Sequence, residues 1–535
     1  MSTTASTENP RVSIYDTTLR DGAQGEGISF ADSGKILFAH LLDDFGVDFI
    51  EGGFAGSNPR DRKFFSQIRM EKLRHAKITA FGSTRRADLD ASDDPQLAGL
   101  LAAGTEHVTI FGKSSLLQAR EVLRVTPEAN LQIVADSVGF LSQTHHRVVF
   151  FDAEHFFDAY KESAAYALSV LRAAHAHGAA ALVLCDTNGG TLPHEIHAIT
   201  TAVRAEFPGV QIGIHAHNDA GLAAANSLEA VRAGATQVQG TINGYGERTG
   251  NADLITIMPS LELKLGRHAI GSGSLRGLRT LSTRVADLAN QKPDRRQPYV
   301  GRDAFCHKAG AHVNAVAKSP ATYEHIDPAL VGNQRHILVS ELAGAANIQL
   351  KASELGLCTA NAGRDQLRVA LDAVKSRENE GYSYESADGS FKVLFQRALE
   401  GSPPKVQLDS FRVIVEKRES GGRTVSEATV KVRVNTGGEE VMHHTVGEGD
   451  GPVDALHAAL VAALERTHPG AAGIQLTDYR VRILNPEAAT RATTRVLIES
   501  GDGSAHWSTV GVSTNIIEAS VQALLDGIEH KLRFP

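Results

Sequence analysis

Cysteine is scarce in this chain: three residues, Cys185, Cys306 and Cys358, far apart and odd in number. That set argues against a disulfide framework and fits a reducing compartment, so a cytoplasmic protein is expected. Long apolar runs are missing too. None approaches the roughly 20 residues a membrane span needs, and the opening MSTTASTENPR lacks the apolar core of a signal peptide. A positive excess is also absent. There are 54 Lys and Arg against 62 Asp and Glu, a formal net charge of −8, and no basic cluster stands out. Nucleic acid is therefore left without an electrostatic footprint. What remains is ordinary for a globular protein, with 42% apolar and 22% charged residues. At 535 residues the chain exceeds one ordinary core, so two or three domains are expected.

Between Val12 and Gly266 short β-type runs alternate with Ala- and Leu-rich helical stretches. The runs are VSIYDTTL, VDFIEGGF, ITAFGS, HVTIFG, VVFFDAE, ALVLCDTN, QIGIHAHND and TQVQGTING. Repeated strand–helix units imply a parallel sheet, and eight of them in about 250 residues suit a closed (β/α)8 TIM barrel. The placement of polar groups decides between a barrel and an open sheet. Nearly every run ends in chemistry: Arg20 and Asp21, Glu51, Lys113, Asp152 and Glu154, Asp186 and Thr187, His215 and His217, Asn243. In a TIM barrel the C-terminal strand ends form the active-site mouth, whereas a doubly wound sheet gathers such residues at one switch point. The reading is an α/β chain with a disordered lead-in over residues 1–10 and a TIM-barrel catalytic domain over 11–270.

From 271 to 404 the pattern is irregular, with one helical stretch through GRDQLRVALDAVKS, and reads as a mixed linker subdomain. SPPKVQLDS (402–410) is a polar, Pro-containing break. Beyond it, over 405–535, an order of three strands and a helix occurs twice, making an α+β domain. GEGDGPVDA (447–455) registers with GVSTNIIEA (511–519), each opening its helix. The repeats supply no obvious catalytic group, so binding is their expected task. The turn at Gly511 is where added bulk, as in Gly511→Trp, is expected to obstruct a small effector.

The sharpest local motif is His215-Ala216-His217-Asn218-Asp219. On a strand, residues two apart share a face, so Gly213, His215 and His217 face the barrel interior while Ile212, Ile214 and Ala216 face the helices. Two imidazoles on one face at a strand end are placed to bind one metal ion, the alternative being hydrogen-bonded core histidines. His175 and His177 have the same spacing inside an Ala-rich helix, where positions two apart diverge by about 200°; no chelation is expected there. Asp21 could complete a His₂-carboxylate set. Arg20 beside it offers a fixed cation for a carbonyl or an oxyanion, although an Arg-Asp pair also occurs as a plain surface ion pair.

DTTLRDG, HAHND and GYGERTGNADL (244–254) together resemble the DRE-type TIM-barrel metallolyases, and among them the 2-isopropylmalate, homocitrate and citramalate synthases. The likeness runs through barrel, linker and C-terminal domain. VDFIEGGFAGSNPRD, FDAEHFFDAYK, LCDTNGGTLPHE and TYEHIDPALVGN are similar to the long citramalate synthase branch. The resemblance implies metal ligands Asp21, His215, His217 and Asn251, and a divalent ion (Mg²⁺, Mn²⁺ or Zn²⁺). It implies that Arg20 binds the 2-oxo group, that Glu51 supports the substrate site, that Thr187 binds the substrate carboxylate, and that Glu154 lies near the acetyl-CoA methyl. His312 of HKAGAH and Tyr323 of TYEHIDP match a catalytic pair that, in relatives, enters the neighbouring subunit's barrel, so a homodimer is implied. Gln118 stands where relatives usually carry histidine in a stretch like KSxxxHV, beside the 2-oxo acid pocket, and Leu116 and Leu117 are expected to line a small apolar pocket there. The implied reaction is condensation of acetyl-CoA with pyruvate and water to (R)-citramalate and CoA, the first step of a threonine-independent isoleucine route. Feedback by a branched-chain amino acid, isoleucine first, is implied for the C-terminal domain. Condensation on another 2-oxo acid (as in a 2-isopropylmalate synthase), metal-dependent C–C cleavage, or a catalytically dead amino-acid sensor are the alternatives.

Overall fold

The computed structural model describes residues 11–337, 351–352, 355–357 and 364–534, apart from residues 57, 271, 309, 418–423, 437–438 and 466. The expected lead-in and Cys358 lie outside the described residues. Two compact units result, one running to Phe305 and including Ile326–Gln334, the other built from Cys306–His325 and the chain from Arg335 onward. No helix among the described residues is long and apolar enough to cross a membrane.

In the first unit eight parallel strands close into a barrel: β1 (Ser13–Asp16), β2 (Phe49–Phe54), β3 (Lys77–Ser83), β4 (His107–Lys113), β5 (Val148–Glu154), β6 (Ala179–Asp186), β7 (Gln211–Ala216) and β8 (Gln237–Gly240). The seam is β8 on β1, with Ser13 opposite Gln237 and Asp16 opposite Gly240. The helices are α1 (Asp32–Phe45), α2 (Pro59–Ile68), α3 (Pro95–Ala102), α4 (Pro127–Gly139), α5 (Phe156–Ala176), α6 (Pro193–Glu206), α7 (Ala223–Arg232) and α8 (Leu254–Leu263). Local chemistry sets their starts. Asn58, Asp94 and Thr126 each accept a backbone N–H and are followed by proline at the first helical position, where proline's missing donor costs nothing.

Alternation along each strand sorts side chains into two cores. Ile212, Ile214 and Ala216 are buried in the layer between strands and helices. A separate inner cluster of Tyr15, Phe150 and Ala181, with Phe49 and Val148 against it, fills the barrel, all but Tyr15 coming from the N-terminal halves of their strands; Phe49 and Phe150 meet edge-on at 5.0 Å. Apolar filling therefore closes one end, and the polar strand ends are left facing a cavity at the other.

The second unit carries both repeats. Val406–Lys417, Thr424–Thr436 and Glu439–Gly449 form one antiparallel sheet, followed by helix Pro452–Leu464; Gln475–Ile483, Thr494–Gly501 and His506–Ser513 form the other, followed by helix Ile516–Arg533. The repeat extends to single atoms. Thr445 Oγ1 donates to the Ala459 carbonyl at 2.8 Å, and Thr509 Oγ1 to the Ala523 carbonyl at 2.8 Å. In both halves a glycine two residues after that threonine lies under the helix. A Cβ on Gly447 would come 2.4 Å from Ala459 N, and one on Gly511 would come 1.9 Å from the Ala519 carbonyl oxygen.

Gly511 is thus a strand residue beneath a helix and not part of a helix-opening turn, and the Gly511→Trp expectation is corrected: such bulk would lift the helix off its sheet. Even Gly511→Ala is expected to destabilise the protein by about 1–3 kcal/mol through overpacking. Gly470→Ala, where a Cβ meets nothing within 4 Å, is expected within about 0.5 kcal/mol of the parent. Urea unfolding of the two variants checks the pair.

Candidate active site and metal centre

A cavity of about 250 Å³ opens at the C-terminal ends of the strands. Its walls follow the two-residue strand period: Asp152 and Glu154 in β5, Cys185 in β6 with Thr187 just beyond it, His215 in β7 with His217 just beyond it. Arg20 and Asp21 enter from the turn after β1, where Asp21 N and Gly22 N both donate to the Thr17 carbonyl and fold the chain back over the barrel.

Three ligand-type atoms converge. Asp21 Oδ2 lies 3.4 Å from His215 Nε2 and 3.6 Å from His217 Nε2, and the two Nε2 atoms are 3.5 Å apart. Among the described residues this is the one group of His, Cys, Asp or Glu that could hold a metal ion; His175 and His177 form none. Ligand bonds of about 2.0–2.2 Å at near-tetrahedral angles separate ligand atoms by roughly 3.4 Å, so the triangle has the right size. The imidazoles are oriented from behind. His215 Nδ1 faces Gln239 Oε1 at 2.9 Å, and His217 Nδ1 faces the Thr187 carbonyl at 2.7 Å. Both acceptors require an N–H on Nδ1, so each ring, when neutral, keeps its Nε2 lone pair for a metal ion. Gln239 is itself oriented, its Nε2 donating to Asp152 Oδ1 at 3.2 Å.

Asn251 is 2% exposed, and its Nδ2 donates to the Tyr245 carbonyl at 3.1 Å while its Oδ1 has no hydrogen-bond partner. A buried amide oxygen without a partner is costly, and a cation is what would satisfy it. Gly246 makes the tuck possible: φ is +155° there and a Cβ would stand 2.2 Å from Asn251 Nδ2. These donors fit a divalent ion.

Arg20 is fixed on three sides. Its Nε donates to Glu51 Oε2 at 2.6 Å, its Nη1 to Asp21 Oδ2 at 3.0 Å, and its guanidinium carbon sits 3.8 Å from the centre of the Phe81 ring. Glu51 is fully buried and also accepts from Tyr15 OH at 2.8 Å and from the Thr17 hydroxyl. Burial alone would raise the Asp21 pKa, but the Arg20 charge and the two histidines outweigh it and hold it well below the usual carboxylate range. Burial, followed by the charge of Glu51, pushes Asp152 well above that range.

The other expected residues are placed as follows. Glu154 lines the cavity in an ion pair with Lys113. The Thr187 hydroxyl oxygen accepts the His155 N–H at 2.9 Å and also lines the cavity. In the second unit His312 and Tyr323 stack at 4.2 Å between ring centres, with Tyr323 half exposed, and His307 is tied to buried Glu324 at 3.1 Å. Asn243 serves structure, bonding Tyr245 and Ser282. Four of the residues expected at the substrate site are not among those that line the cavity. Glu51 sits behind the wall, with its oxygens taken by Arg20, Tyr15 and Thr17. Gln118 is not among the residues that line the cavity, nor are Leu116 and Leu117, the latter 61% exposed. The apolar wall is instead Phe54, Phe81 and Phe111, with Phe81 and Phe111 stacked at 5.5 Å. Sequence reading missed that wall, and Gln239 with it. The signal was the strand period, which carries the inward face of β3 and β4 from Thr79 to Phe81 and from Thr109 to Phe111.

Residues 11–281 match the family model described as HMGL-like, 299–381 the homocitrate synthase post-HMGL domain-like model, and 385–532 the LeuA allosteric (dimerisation) domain. The chain is 49% identical to an (R)-citramalate synthase of Aquifex aeolicus, with 98% of each chain covered, and 49% identical to one of Geobacter sulfurreducens, with 97% of each covered. The chain belongs to the (R)-citramalate synthase family. A 2-isopropylmalate synthase of Methanocaldococcus jannaschii is more distant, 31% identical over 97% of this chain and 94% of its own. As a member of the citramalate synthase family the chain is an enzyme of the HMGL-like class, and the LeuA allosteric match covers both βββα repeats.

Proposed function

We propose that this chain condenses acetyl-CoA with pyruvate and water to give (R)-citramalate and CoA. The observation that carries the reading is one juxtaposition: the Asp21–His215–His217 triangle beside a guanidinium, Arg20, that is locked by Glu51 and stacked on Phe81 at the mouth of a small, partly aromatic cavity. Asp21, His215, His217 and Asn251 would hold a divalent ion, which when bound would supply Lewis-acid polarisation; the mixed nitrogen and oxygen donors suit Mg²⁺, Mn²⁺ or Zn²⁺. Arg20 donates to the ketone oxygen, which gains negative charge as the C–C bond forms. The Thr187 oxygen accepts from the backbone, and its O–H is left to donate to the substrate carboxylate. Glu154, kept beside Lys113, and His312, stacked on Tyr323, are the candidates for taking a proton from the acetyl methyl. The methyl carbon then bonds to the ketone carbon, the ketone oxygen takes up a proton, and water cleaves the thioester to release CoA. A homodimer acting in the cytoplasm, with a branched-chain amino acid as effector on the LeuA-type domain, completes the proposal.

Specificity tests it. With Phe54, Phe81 and Phe111 walling the cavity, pyruvate is expected to give the highest kcat/KM in a thiol-release assay over a panel of 2-oxo acids. 2-Oxobutanoate, one methylene larger, is expected to be about 10- to 200-fold poorer. Preference for 2-oxoisovalerate would move the assignment to 2-isopropylmalate synthesis.

A further inference from the structure

Phe54 stands in the barrel cavity although the two-residue period of its strand points it elsewhere. On β2, Phe49 packs on the inner cluster and Glu51 bonds to Arg20 and Tyr15. Strict alternation would next turn Gly53 inward and send Phe54 toward the helices. The register departs from it. Glu51 lies opposite Thr79 and Phe54 opposite Phe81, so three steps along β2 match two along β3. A bulge of this kind re-aims the side chain beyond it. Both glycines ahead of Phe54 face helix α2: a Cβ on Gly52 would come 2.4 Å from Phe64 Cε1, and one on Gly53 2.3 Å from Asp61 Cγ. Gly53 has φ +133°, a backbone conformation that favours glycine. Phe54 then returns to the interior and lies edge-on to Phe81 at 5.7 Å. The bulge is held from outside the barrel. Asp61, buried in the first turn of α2, accepts the Phe54 N–H on Oδ2 at 2.9 Å, and its Oδ1 accepts from buried Lys35 of α1 at 2.7 Å. The start of α2 does not need this pair, because Asn58 already caps it. Neither Lys35 nor Asp61 is among the residues that line the cavity.

We infer that Asp61, kept in place by Lys35, is a positioning residue for substrate selection. It fixes the bulge that sets Phe54 against Phe81, and so limits the alkyl group that a 2-oxo acid can bring into the cavity. This role rests on the reading that the cavity takes a 2-oxo acid. Asp61 acts on substrate size through the backbone N–H of Phe54, without touching the substrate.

The test compares kcat/KM for pyruvate with kcat/KM for 2-oxobutanoate, by thiol release in the full chain. Removing Asp61 alone would strand the Lys35 ammonium in a buried place, so Lys35→Met and Asp61→Ala are combined. The preference for pyruvate is expected to narrow by about tenfold in that variant, the order of what a pocket discriminates for one methylene. Lys35→Met with Asp61→Asn keeps an amide oxygen for the Phe54 N–H and is expected to stay within about threefold of the parent ratio. Phe54→Ala should narrow the preference similarly. Adding it to Lys35→Met with Asp61→Ala should narrow it no further, since both act through one side chain. If the combined variant does not fold, Asp61→Glu takes its place. The charge for Lys35 then remains, but the crowding at Gly53 leaves no room for another methylene, and the ratio should shift by about threefold or more. A fall in kcat/KM shared equally by both acids, with the ratio unchanged, would overturn the inference and leave Lys35 and Asp61 a plain structural pair. Further narrowing by Phe54→Ala in the combined variant would overturn it too. Preference of the parent for a larger 2-oxo acid would change the reading of the reaction, and the variants' effect on the ratio would still decide the role of Asp61.

Discussion

His217→Ala is expected to strip the protein of its divalent ion and to lower kcat/KM by about 10³-fold or more, because the charge stabilisation a metal provides is worth several kcal/mol. The triangle of Asp21, His215 and His217 has sides of 3.4 to 3.6 Å, so removing one corner leaves two protein ligands and the Asn251 amide. The outer shell predicts a graded partner to this result. Gln239→Leu keeps every ligand but deletes the acceptor that fixes the His215 ring, 2.9 Å from Nδ1. An effect of about 10- to 100-fold on metal affinity is expected for such partners. Metal content after dialysis and the visible spectrum of the Co²⁺-loaded protein read both variants independently of turnover. Retention of stoichiometric metal by His217→Ala would remove the centre from this place in the fold.

Much of the barrel was legible because strand period and strand-end chemistry agree. His215 and His217 sit two apart at the end of β7 and share a face, while His175 and His177, with the same spacing in α5, do not meet. Asp21 and Arg20 were legible for the same reason, lying just past β1. The missed features depend on distances between strands that no local pattern encodes. Gln239 is 24 residues from His215 yet fixes its tautomer across the β7–β8 pair. Phe54, Phe81 and Phe111 come from three successive strands, and only the pairing of those strands with one another and with β1 brings them beside Arg20. Gln118 looked like a pocket residue because of its place in a motif, but it opens a short π-helix, Gln118–Leu123, and is not among the residues that line the cavity. Gly511 looked like a turn because it precedes a helix, whereas its hydrogen is what lets helix Ile516–Arg533 lie on the strand.

Arg20 should separate catalysis from stability. Arg20→Lys is expected to lower kcat by about 10²–10³-fold, the loss typical of one oriented donor to a developing oxyanion. Lysine carries a point charge on a flexible stem and cannot hold Glu51, Asp21 and the Phe81 face with one planar group. Arg20→Met should do the same to turnover and also destabilise the fold by about 3–5 kcal/mol, because it leaves the buried Glu51 carboxylate without its countercharge. Adding Glu51→Gln to Arg20→Met removes that stranded charge while keeping an acceptor for Tyr15 OH. The double variant is therefore expected to recover most of the lost stability in urea unfolding and none of the lost kcat. If it regains activity along with stability, Arg20 acts only as a structural partner of Glu51. If Arg20→Lys turns over at close to the parent rate, a simple positive charge suffices and the locked guanidinium is not what stabilises the oxyanion.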